Sequence, residues 1–213
     1  MEEIQVMPKP DWVSWEDIHQ LLLKANKVNE NNGFSMVGLT RPPEELAKEV
    51  ENGLCVVAMH GDKLVGVSAC SFDCAQRWYN KKERSARKFM TGILKSYQGC
   101  GILGEIDKVL DKYIKNSGCS FIVADTAVMN TAIRKRARSG GYKELAYISF
   151  PTTLYYSVIF GKWLNKCPFS DRYIKFRFWL SKIYTKTRYK VGRVERFTIL
   201  YHIWKKIKKL LRH

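Results

Sequence analysis

The sequence lacks the patterns that mark several large classes of protein. Its six cysteines are irregularly spaced without a C-x-x-C pair, and its four histidines stand apart from one another. No metal-ligand spacing is present, so no metal is expected, and the thiols are expected to be reduced, as in a cytoplasmic protein. The first ten residues, MEEIQVMPKP, are acidic and lack the basic-then-apolar run of a signal peptide, which argues against secretion.

Long apolar runs are also missing. The longest uncharged run covers 17 residues, 145–161, against the ~20 that a membrane-spanning helix needs. Pro151, Thr152 and Thr153 interrupt it. We therefore predict two buried strands joined at the proline.

The sequence does contain a large and uneven excess of basic residues. Its 37 Lys and Arg against 20 Asp and Glu give a formal charge of +17. Residues 1–164 carry a net charge of +4, whereas residues 165–213 carry +13 and hold only two acids. We predict a domain over 1–164 and a basic, aromatic-rich helical extension over 165–213.

Hydrophobic periodicity predicts a mixed architecture for the first part. Two apolar runs, 54–60 and 63–72, flank the Gly61-Asp62 turn and indicate an antiparallel hairpin. Residues 73–87 show no clear period and are expected to form a loop or an irregular helix. The other predicted elements are helices over 15–30, 43–51, 102–116 and 130–139 and strands over 88–94, 120–128, 142–150 and 152–160. Their order predicts an α/β or α+β domain with a mixed sheet.

Three glycines lie between a predicted strand and a predicted helix. Gly99, Gly101 and Gly104 spell G-x-G-x-x-G, and Asp125 closes the following strand. Taken alone, this pattern fits the dinucleotide loop of an NAD-dependent enzyme. The context argues against that interpretation, because four polar residues precede Gly99, a hairpin precedes the motif, and too few strand-helix units follow for a parallel sheet.

Read with their neighbours, the same residues resemble the GNAT superfamily of acyl-CoA-dependent N-acetyltransferases. Gln98-Gly99-Cys100-Gly101 matches the first four positions of its Q/R-x-x-G-x-G/A signature, whereas the sixth position is Leu103. The elements around the loop, Asn130 and the Gly-Gly-Tyr at 140–142 follow the family's order. The resemblance covers about residues 12–164. It implies a central, mostly antiparallel sheet with a splayed parallel strand pair, flanked by helices, to which the C-terminal helical extension is added.

The resemblance also implies an acyl-CoA, such as acetyl-CoA, as co-substrate. Backbone amides at the start of the helix after the loop would hold its pyrophosphate, because they are unpaired donors at the positive end of the helix dipole. The pantetheine arm would lie between the splayed strands. The residues expected to bind the co-substrate are Ile93, Gln98, Gly99, Cys100, Gly101, Ile102, Leu103, Gly104, Asn130 and Arg136.

A general base must accept the proton of the attacking amine. Asp125, at the end of the strand lining the cleft, is the first candidate, and Asp73, at the end of the hairpin, is the second. The alternative for each is a helix cap or a solvated loop residue. The tyrosine that many family members carry six or seven residues after the asparagine is replaced by Arg136 and Ala137. Another group or water would then protonate the leaving thiolate, or Arg136 would stabilise it; a solvated basic helix face is the other interpretation.

The extension combines its charge with ten aromatic residues, a composition that is not typical of a disordered tail. Two amphipathic helices are predicted, one with the stripe Tyr173, Phe176, Leu180 and Ile183, the other with Val194, Phe197, Leu200, Tyr201, Trp204, Ile207 and Leu211. Such helices suit an anionic membrane surface. The stripes could instead pack on the enzyme core or across a homodimer interface. Nucleic acid is disfavoured as a partner because no recognised module appears.

Together these observations predict a cytoplasmic N-acetyltransferase, peripheral on the inner face of the membrane. It would move an acetyl or other acyl group to an amine, for instance an amino sugar of an envelope glycan precursor. A non-catalytic CoA-binding or scaffold protein of the same fold is the alternative, because the tyrosine is missing and Leu103 departs from the signature. An NAD-dependent enzyme is the third hypothesis.

Overall fold

The chain is organised around one mixed β-sheet. The computed structural model describes residues 3–31, 41–72, 84–149 and 156–191. Its strands are β1 (Ile4–Pro8), β2 (Gly53–His60), β3 (Lys63–Phe72), β4 (Ser85–Ile93), β5 (Phe121–Ala127), β6 (Lys143–Ser149) and β7 (Tyr156–Trp163). They lie in the order β1-β2-β3-β4-β5-β7-β6, and among these described strands only β4 and β5 run parallel. The predicted mixed, mostly antiparallel sheet is confirmed, and it argues against the parallel sheet of the NAD hypothesis.

Helices cover both faces of the sheet. They are α1 (Trp15–Asn31), α2 (Pro43–Val50), α3 (Ile102–Asn116), α4 (Thr131–Ser139) and α5 (Asp171–Val191). Ser14 begins α1 by accepting the Asp17 N–H at 3.0 Å. The α3 residues Ile102, Ile106, Leu110 and Ile114 are buried at helical spacing and pack on one face of the sheet, whereas α1 and α2 pack on the other. Among the helices in the described ranges, none is long and apolar enough to cross a membrane.

One strand was not predicted, and two others have bounds that differ by three residues or more from the sequence-based prediction. Strand β1 was not predicted, because it is a five-residue edge strand that is only partly buried. Strand β4 begins at Ser85 rather than at 88, so the predicted loop over 73–87 is wrong for residues 85–87; residues 73–83 lie outside the described ranges. Strand β7 runs from Tyr156 to Trp163. In β4 the polar residues Ser85 and Arg87 hid the strand, which is defined by pairing with β5 and not by an apolar run.

The parallel strands β4 and β5 part after a short paired stretch. Residues 85–87 of β4 pair with residues 121–123 of β5. Beyond Arg87, β4 continues to pair with β3 as far as Ile93, while β5 continues to pair with β7 as far as Ala127. Each strand keeps its outer neighbour, so the divergence opens a gap within the sheet. The splayed strand pair is therefore confirmed.

Charged side chains tie four elements together where the strands part. Lys88, the first β4 residue beyond the paired stretch, is only 7% exposed, and its Nζ lies 2.8 Å from Asp107 and 2.6 Å from Asp111 on α3. Asp107 also accepts a hydrogen bond from Arg136 of α4 at 2.7 Å, and Asp111 accepts one from Lys162 of β7 at 2.9 Å. We call these five residues the ionic cluster. Each of its two carboxylates joins two cations from different elements.

Lys88 and Asp111 of the ionic cluster are held in their charged forms. Burial alone would lower the pKa of Lys88, but Tyr142, Asp107 and Asp111 outweigh it and raise that pKa above its ordinary value. Burial alone would raise the pKa of Asp111, yet Lys88 and Lys162 together hold it below 3.8. The Asp111 contribution to stability is thus complete above about pH 4 and is lost as the pH falls through its lowered pKa.

Helix α5 lies along the free edge of β6. The Tyr147 N–H donates to Ser181 Oγ at 2.8 Å, and Thr185 Oγ1 donates to the Tyr147 carbonyl at 2.6 Å. Ile174 packs with the sheet residues Phe121 and Leu145. Because an edge strand otherwise leaves backbone groups unpaired, α5 serves as a cover for this edge. The first helix of the basic extension is therefore part of the sheet's packing.

Loss of the Thr185 hydroxyl should destabilise the protein. Thr185→Val keeps the shape of the side chain but leaves the Tyr147 carbonyl unpaired, so we expect the free energy of unfolding to fall by about 1–2 kcal/mol. Thr185→Ser, which keeps the hydroxyl, should cost less. Urea denaturation at neutral pH measures both. Equal losses in the two variants would show that the hydrogen bond does not contribute.

The ionic cluster should be strongly coupled in a double-mutant cycle. The double substitution Asp107→Asn and Asp111→Asn leaves the buried Lys88 without an anion and should cost about 3–5 kcal/mol. Each single substitution should cost well under half of that, because Lys88 keeps the other carboxylate. Below about pH 4, Asp111→Asn should also lose less stability with falling pH than the wild type.

The matched control is Glu105→Gln, on the same helix. Glu105 is 58% exposed and pairs with the exposed Lys108 at 2.7 Å, so its loss should cost under about 0.5 kcal/mol. Chemical denaturation across pH measures all variants. Additive, small losses at Asp107 and Asp111 would contradict a coupled cluster.

Candidate functional site

Two glycines with left-handed backbone shape the turn between β4 and α3. The φ angle is +87° at Gly99 and +79° at Gly101, and Gly101 is the N-cap of α3. A Cβ at either position would meet no atom within 4 Å. Glycine is therefore favoured here by the backbone conformation and not by crowding.

Most backbone amides of this turn take no part in the backbone hydrogen bonding of the described residues. The N–H groups of Gly104 and Glu105 bond to the Gly101 carbonyl at 2.7 and 3.3 Å. Within the described ranges, none of the amides of residues 99–103 bonds a backbone carbonyl. Unpaired donors at the positive end of a helix dipole form a site for an anion such as a pyrophosphate. The turn thus has the geometry that the sequence predicted.

The departure from the glycine signature at Leu103 has a structural explanation. The Leu103 side chain packs against the core beneath α3, beside the buried Ile102. Gly104, one residue later, has no atom within 4 Å of the Cβ it lacks. The outer surface of the first helical turn is therefore bare at Gly104, and Cys100 in the turn before it is exposed.

Side chains from the hairpin and the loop hold the turn in place. Gln98 Nε2 donates to the Ile93 carbonyl at 3.1 Å, so that carbonyl is already engaged within the chain. The Tyr97 hydroxyl lies 2.9 Å from His60 Nδ1, and Lys63 Nζ lies 5.4 Å from the centre of the Tyr97 ring. Of the expected co-substrate ligands, Gln98 and Ile93 thus bond to each other.

A β-bulge interrupts β4 beside the gap. Between two register pairs, β3 has one residue, Ser68, where β4 has two, Met90 and Thr91. Met90 has a φ of +54°, which is rare for a residue other than glycine and indicates local strain. Ser68 Oγ lies 2.8 Å from Thr91 Oγ1 and donates to the Phe89 carbonyl at 3.5 Å. The buried Ser68 hydroxyl therefore fixes the bulge. The extra residue of the bulge has no partner in the β-ladder.

Asp125 lies on the face of the sheet opposite α3. Alternate residues of a strand share a face, and Phe121 packs with Leu145 and Ile174, whereas Ile122 lies in the core beneath α3. Asp125 Oδ1 lies 3.4 Å from Arg87 Nη2, so one ion pair joins β5 to β4. Their side chains are 28% and 40% exposed. The first candidate base is thus accessible near the divergence; Asp73, the second, lies outside the described residues.

Two of the expected co-substrate ligands have other partners. Asn130 Oδ1 accepts the Ile133 N–H at 3.2 Å and caps α4. Arg136 belongs to the ionic cluster, so it is anchored to α3. The neighbouring Arg134 bonds Glu144 at 2.8 and 3.0 Å and the Val128 carbonyl at 2.9 Å. The basic face of α4 therefore holds the fold together at these positions.

Sequence reasoning missed residues that define the gap. Lys88 was only the first residue of the predicted strand 88–94, and Arg87 fell in the stretch predicted to be a loop or an irregular helix. The only available signal was the i, i+4 pair Asp107 and Asp111 on a helix whose other face is apolar. The bulge at Met90 left no pattern in the sequence.

Comparisons with known proteins give no match by sequence but several by structure. No family model and no curated protein matches the chain. A chain of the NatC complex bound to Gag peptide and CoA superposes with a TM-score of 0.61 at 14% identity, over 76% of this chain and 99% of that one. A GNAT-family acetyltransferase from Staphylococcus aureus Mu50 gives 0.59 at 14% identity, over 76% and 100%.

A further similar structure is a GNAT-family acetyltransferase from Elizabethkingia anophelis with acetyl-CoA bound. Its TM-score is 0.55 at 14% identity, and the match covers 77% of this chain and 100% of that one. These chains are matched over almost their whole length by about three quarters of the present sequence. The protein therefore has the fold of the GNAT superfamily, as predicted from the glycine loop and the order of its elements.

Proposed function

We propose that the protein transfers an acyl group from acyl-CoA to an amine acceptor. The observation that carries this proposal is the arrangement of the glycine turn and the gap. The turn with unpaired amides follows β4 after a short 3-10 helix (Lys95–Tyr97), and the gap between β4 and β5 begins on the same strand. A long, flexible donor with a diphosphate at one end and a thioester at the other fits both features. The fold shared with an acetyl-CoA-bound acetyltransferase supports the same assignment.

The turn and the gap would bind different parts of the co-substrate. The amides of residues 99–103 would hold the pyrophosphate, and the left-handed Gly99 and Gly101 set their direction. The pantetheine arm would follow β4 between Met90 and Ile93, where β4 no longer pairs with β5. The ionic cluster closes the gap where the strands meet, so the arm would stop short of Lys88.

The bulge would supply the stabilising group for the reaction. The thioester provides an activated carbonyl; the amine attacks its carbon, and the carbon–sulfur bond breaks. Negative charge that develops on the carbonyl oxygen requires a fixed donor, and an N–H outside the ladder near Met90 is suited to this role. Ser68 keeps that segment from relaxing. Most of the rate enhancement would come from positioning.

Asp125 is the proposed acceptor of the amine proton. Its carboxylate reaches the side of the sheet away from α3, and Arg87 holds it close to the divergence. The thiolate leaves toward water, because the position of the usual tyrosine is occupied by Arg136 and Ala137, and Arg136 is already bonded to Asp107. The proton therefore moves from the amine to Asp125 or to a water beside it.

The acceptor is proposed to be an amino sugar of an envelope glycan precursor. This proposal rests on the charge of residues 165–213, which suits an address at the inner, anionic face of a membrane. Many of these charges, together with the second predicted stripe over 194–211, lie outside the described residues.

A non-catalytic CoA-binding protein is the second candidate. The observation in its favour is Arg136, which replaces the proton donor for the thiolate and is held in the ionic cluster. Such a protein would bind the co-substrate through the same turn without turnover. The two candidates differ in whether free thiol is released.

Substitution of Gly101 should weaken CoA binding. Gly101→Ala forces a left-handed alanine at about 1–2 kcal/mol, so the turn should change shape and the Kd for acetyl-CoA should rise about tenfold or more. Gly118→Ala is the matched control: Gly118 has a φ of +74° and an equally open surround, but it lies at the other end of α3. Isothermal titration calorimetry should show its Kd unchanged. Equal effects of both variants, or no binding by the wild type, would contradict the proposed site.

Substitution of Asp125 should slow turnover. With acetyl-CoA and a panel of amines that includes amino sugars, Asp125→Asn should lower kcat by about 100- to 10,000-fold. The Kd for acetyl-CoA should not change. Release of free CoA thiol measures the rate, and Asp62→Asn at the exposed hairpin turn is the control. Wild-type kcat in Asp125→Asn would exclude this base, and CoA binding without thiol release from any amine would favour the non-catalytic candidate.

A further inference from the structure

The outer face of α5 carries large apolar side chains that stay exposed to a large extent, although one of them, Tyr173, stacks on Phe169. Tyr173, Phe176, Trp179 and Ile183 are 39%, 55%, 54% and 45% exposed, and the Phe176 and Trp179 rings stack with centres 6.1 Å apart. A helix turns by about 100° per residue, so all four lie within about 60° of Phe176. We call these four residues the outer face.

The opposite side of α5 is the one that contacts the sheet. Ile174, Phe178, Ser181 and Thr185 make those contacts and lie about 140–200° from Phe176. The stripe predicted from sequence contained Leu180 in place of Trp179, and its packing on the core was one alternative. Within the described residues, Phe176 and Ile183 of that stripe are exposed, whereas Tyr173 stacks on Phe169. Helix α5 therefore carries apolar side chains on two sides, and the side opposite Phe176 is the one that packs on the sheet.

Basic residues border the outer face. Arg172, Lys175, Lys182 and Lys186 are exposed. The helix has one acid, Asp171, and the ammonium group of Lys143 pairs with it, so α5 itself offers no second carboxylate to offset the positive charge beside Phe176 and Trp179. The outer face is thus apolar at its centre and cationic at its borders.

We propose that the outer face of α5 docks on the surface of an anionic phospholipid bilayer. Tyrosine and tryptophan are the side chains that favour the membrane–water interface, and the flanking cations match anionic headgroups. A second copy of the chain would place two basic extensions against each other. The segment 192–213 of the same chain would also be a poor occupant of the outer face, because it is strongly basic and the flanking cations would repel it. Charge complementarity therefore selects the lipid surface.

Docking in this way would set the orientation of the whole domain. Helix α5 is fixed to β6, and two strand spacings separate β6 from β5. With a helix about 10 Å across, the gap would lie roughly 20 Å from the lipid surface. This inference goes beyond the proposed transfer reaction and does not depend on which amine is the acceptor.

Vesicle flotation of the full-length protein tests the proposal. The wild type should float with vesicles of phosphatidylcholine mixed with phosphatidylglycerol, and far less with phosphatidylcholine alone or at high salt. The double substitution Phe176→Ser and Trp179→Ser should lower the partition coefficient at least about tenfold. Trp12→Ser is the matched control, because Trp12 is 64% exposed and lies far along the chain, before α1. Circular dichroism and thermal melting of each variant establish that it is folded.

Several outcomes would overturn the proposal. These are absence of flotation by the wild type, flotation of the double variant equal to that of the wild type, and a dimer in light scattering that the double variant dissociates. A double variant that no longer bound an oligonucleotide but still floated like the wild type would show that the outer face binds nucleic acid instead. The double variant should keep the wild-type Kd for acetyl-CoA. Failure of every form to bind acetyl-CoA would remove the transfer reaction and leave the flotation result intact.

Discussion

Lys88 stands where β4 leaves β5, and the contacts of its ammonium group determine how the gap begins. Two strands that part within a sheet expose backbone groups on both inner edges, so some other interaction must hold the strands at a fixed separation. Asp107 and Asp111 draw Lys88 toward α3 and connect the same helix to α4 and β7 through Arg136 and Lys162. Buried ion pairs add little net stability compared with apolar contacts. They resist displacement, however, because a single charge left without its partner is costly, and the cluster thereby fixes the start of the gap.

The strain at Met90 lies only two residues from this anchored point. A bulge that no side chain held would relax toward regular pairing with β3, and the strand would lose the unpaired residue beside the gap. Ser68, which is 1% exposed, prevents this by contacting both Thr91 and the Phe89 carbonyl. Anchored charge at one end and the glycine turn at the other leave residues 89–93 little freedom. Such a segment is suited to catalysis by positioning, in which no single side chain dominates.

The success of prediction from sequence depended on how local the signal was. The hairpin around Gly61-Asp62 and the helix over 102–116 follow from turn residues and apolar spacing, and the glycine turn follows from residues that tolerate positive φ. The partners of Asn130 and Arg136 could not be predicted in this way. Asn130 caps the helix that follows it, and Arg136 meets Asp107, 29 residues away, only once α3 and α4 share a face of the sheet. Lys88 and the bulge depend on tertiary packing in the same manner.

Helix α5 shows why an apolar stripe does not reveal which side of a helix is buried. Its contacts with β6 use the hydroxyls of Ser181 and Thr185, which contribute nothing to a hydrophobic pattern, and Ile174 is the most buried of the apolar side chains described for this helix. Both hydroxyls bond the same residue, Tyr147, one at its N–H and the other at its carbonyl, so together they fix the rotation of the helix about its axis. Turning Phe176 and Trp179 inward would break both bonds and expose the edge of β6. The exposure of the outer face is therefore a consequence of how the sheet edge is covered.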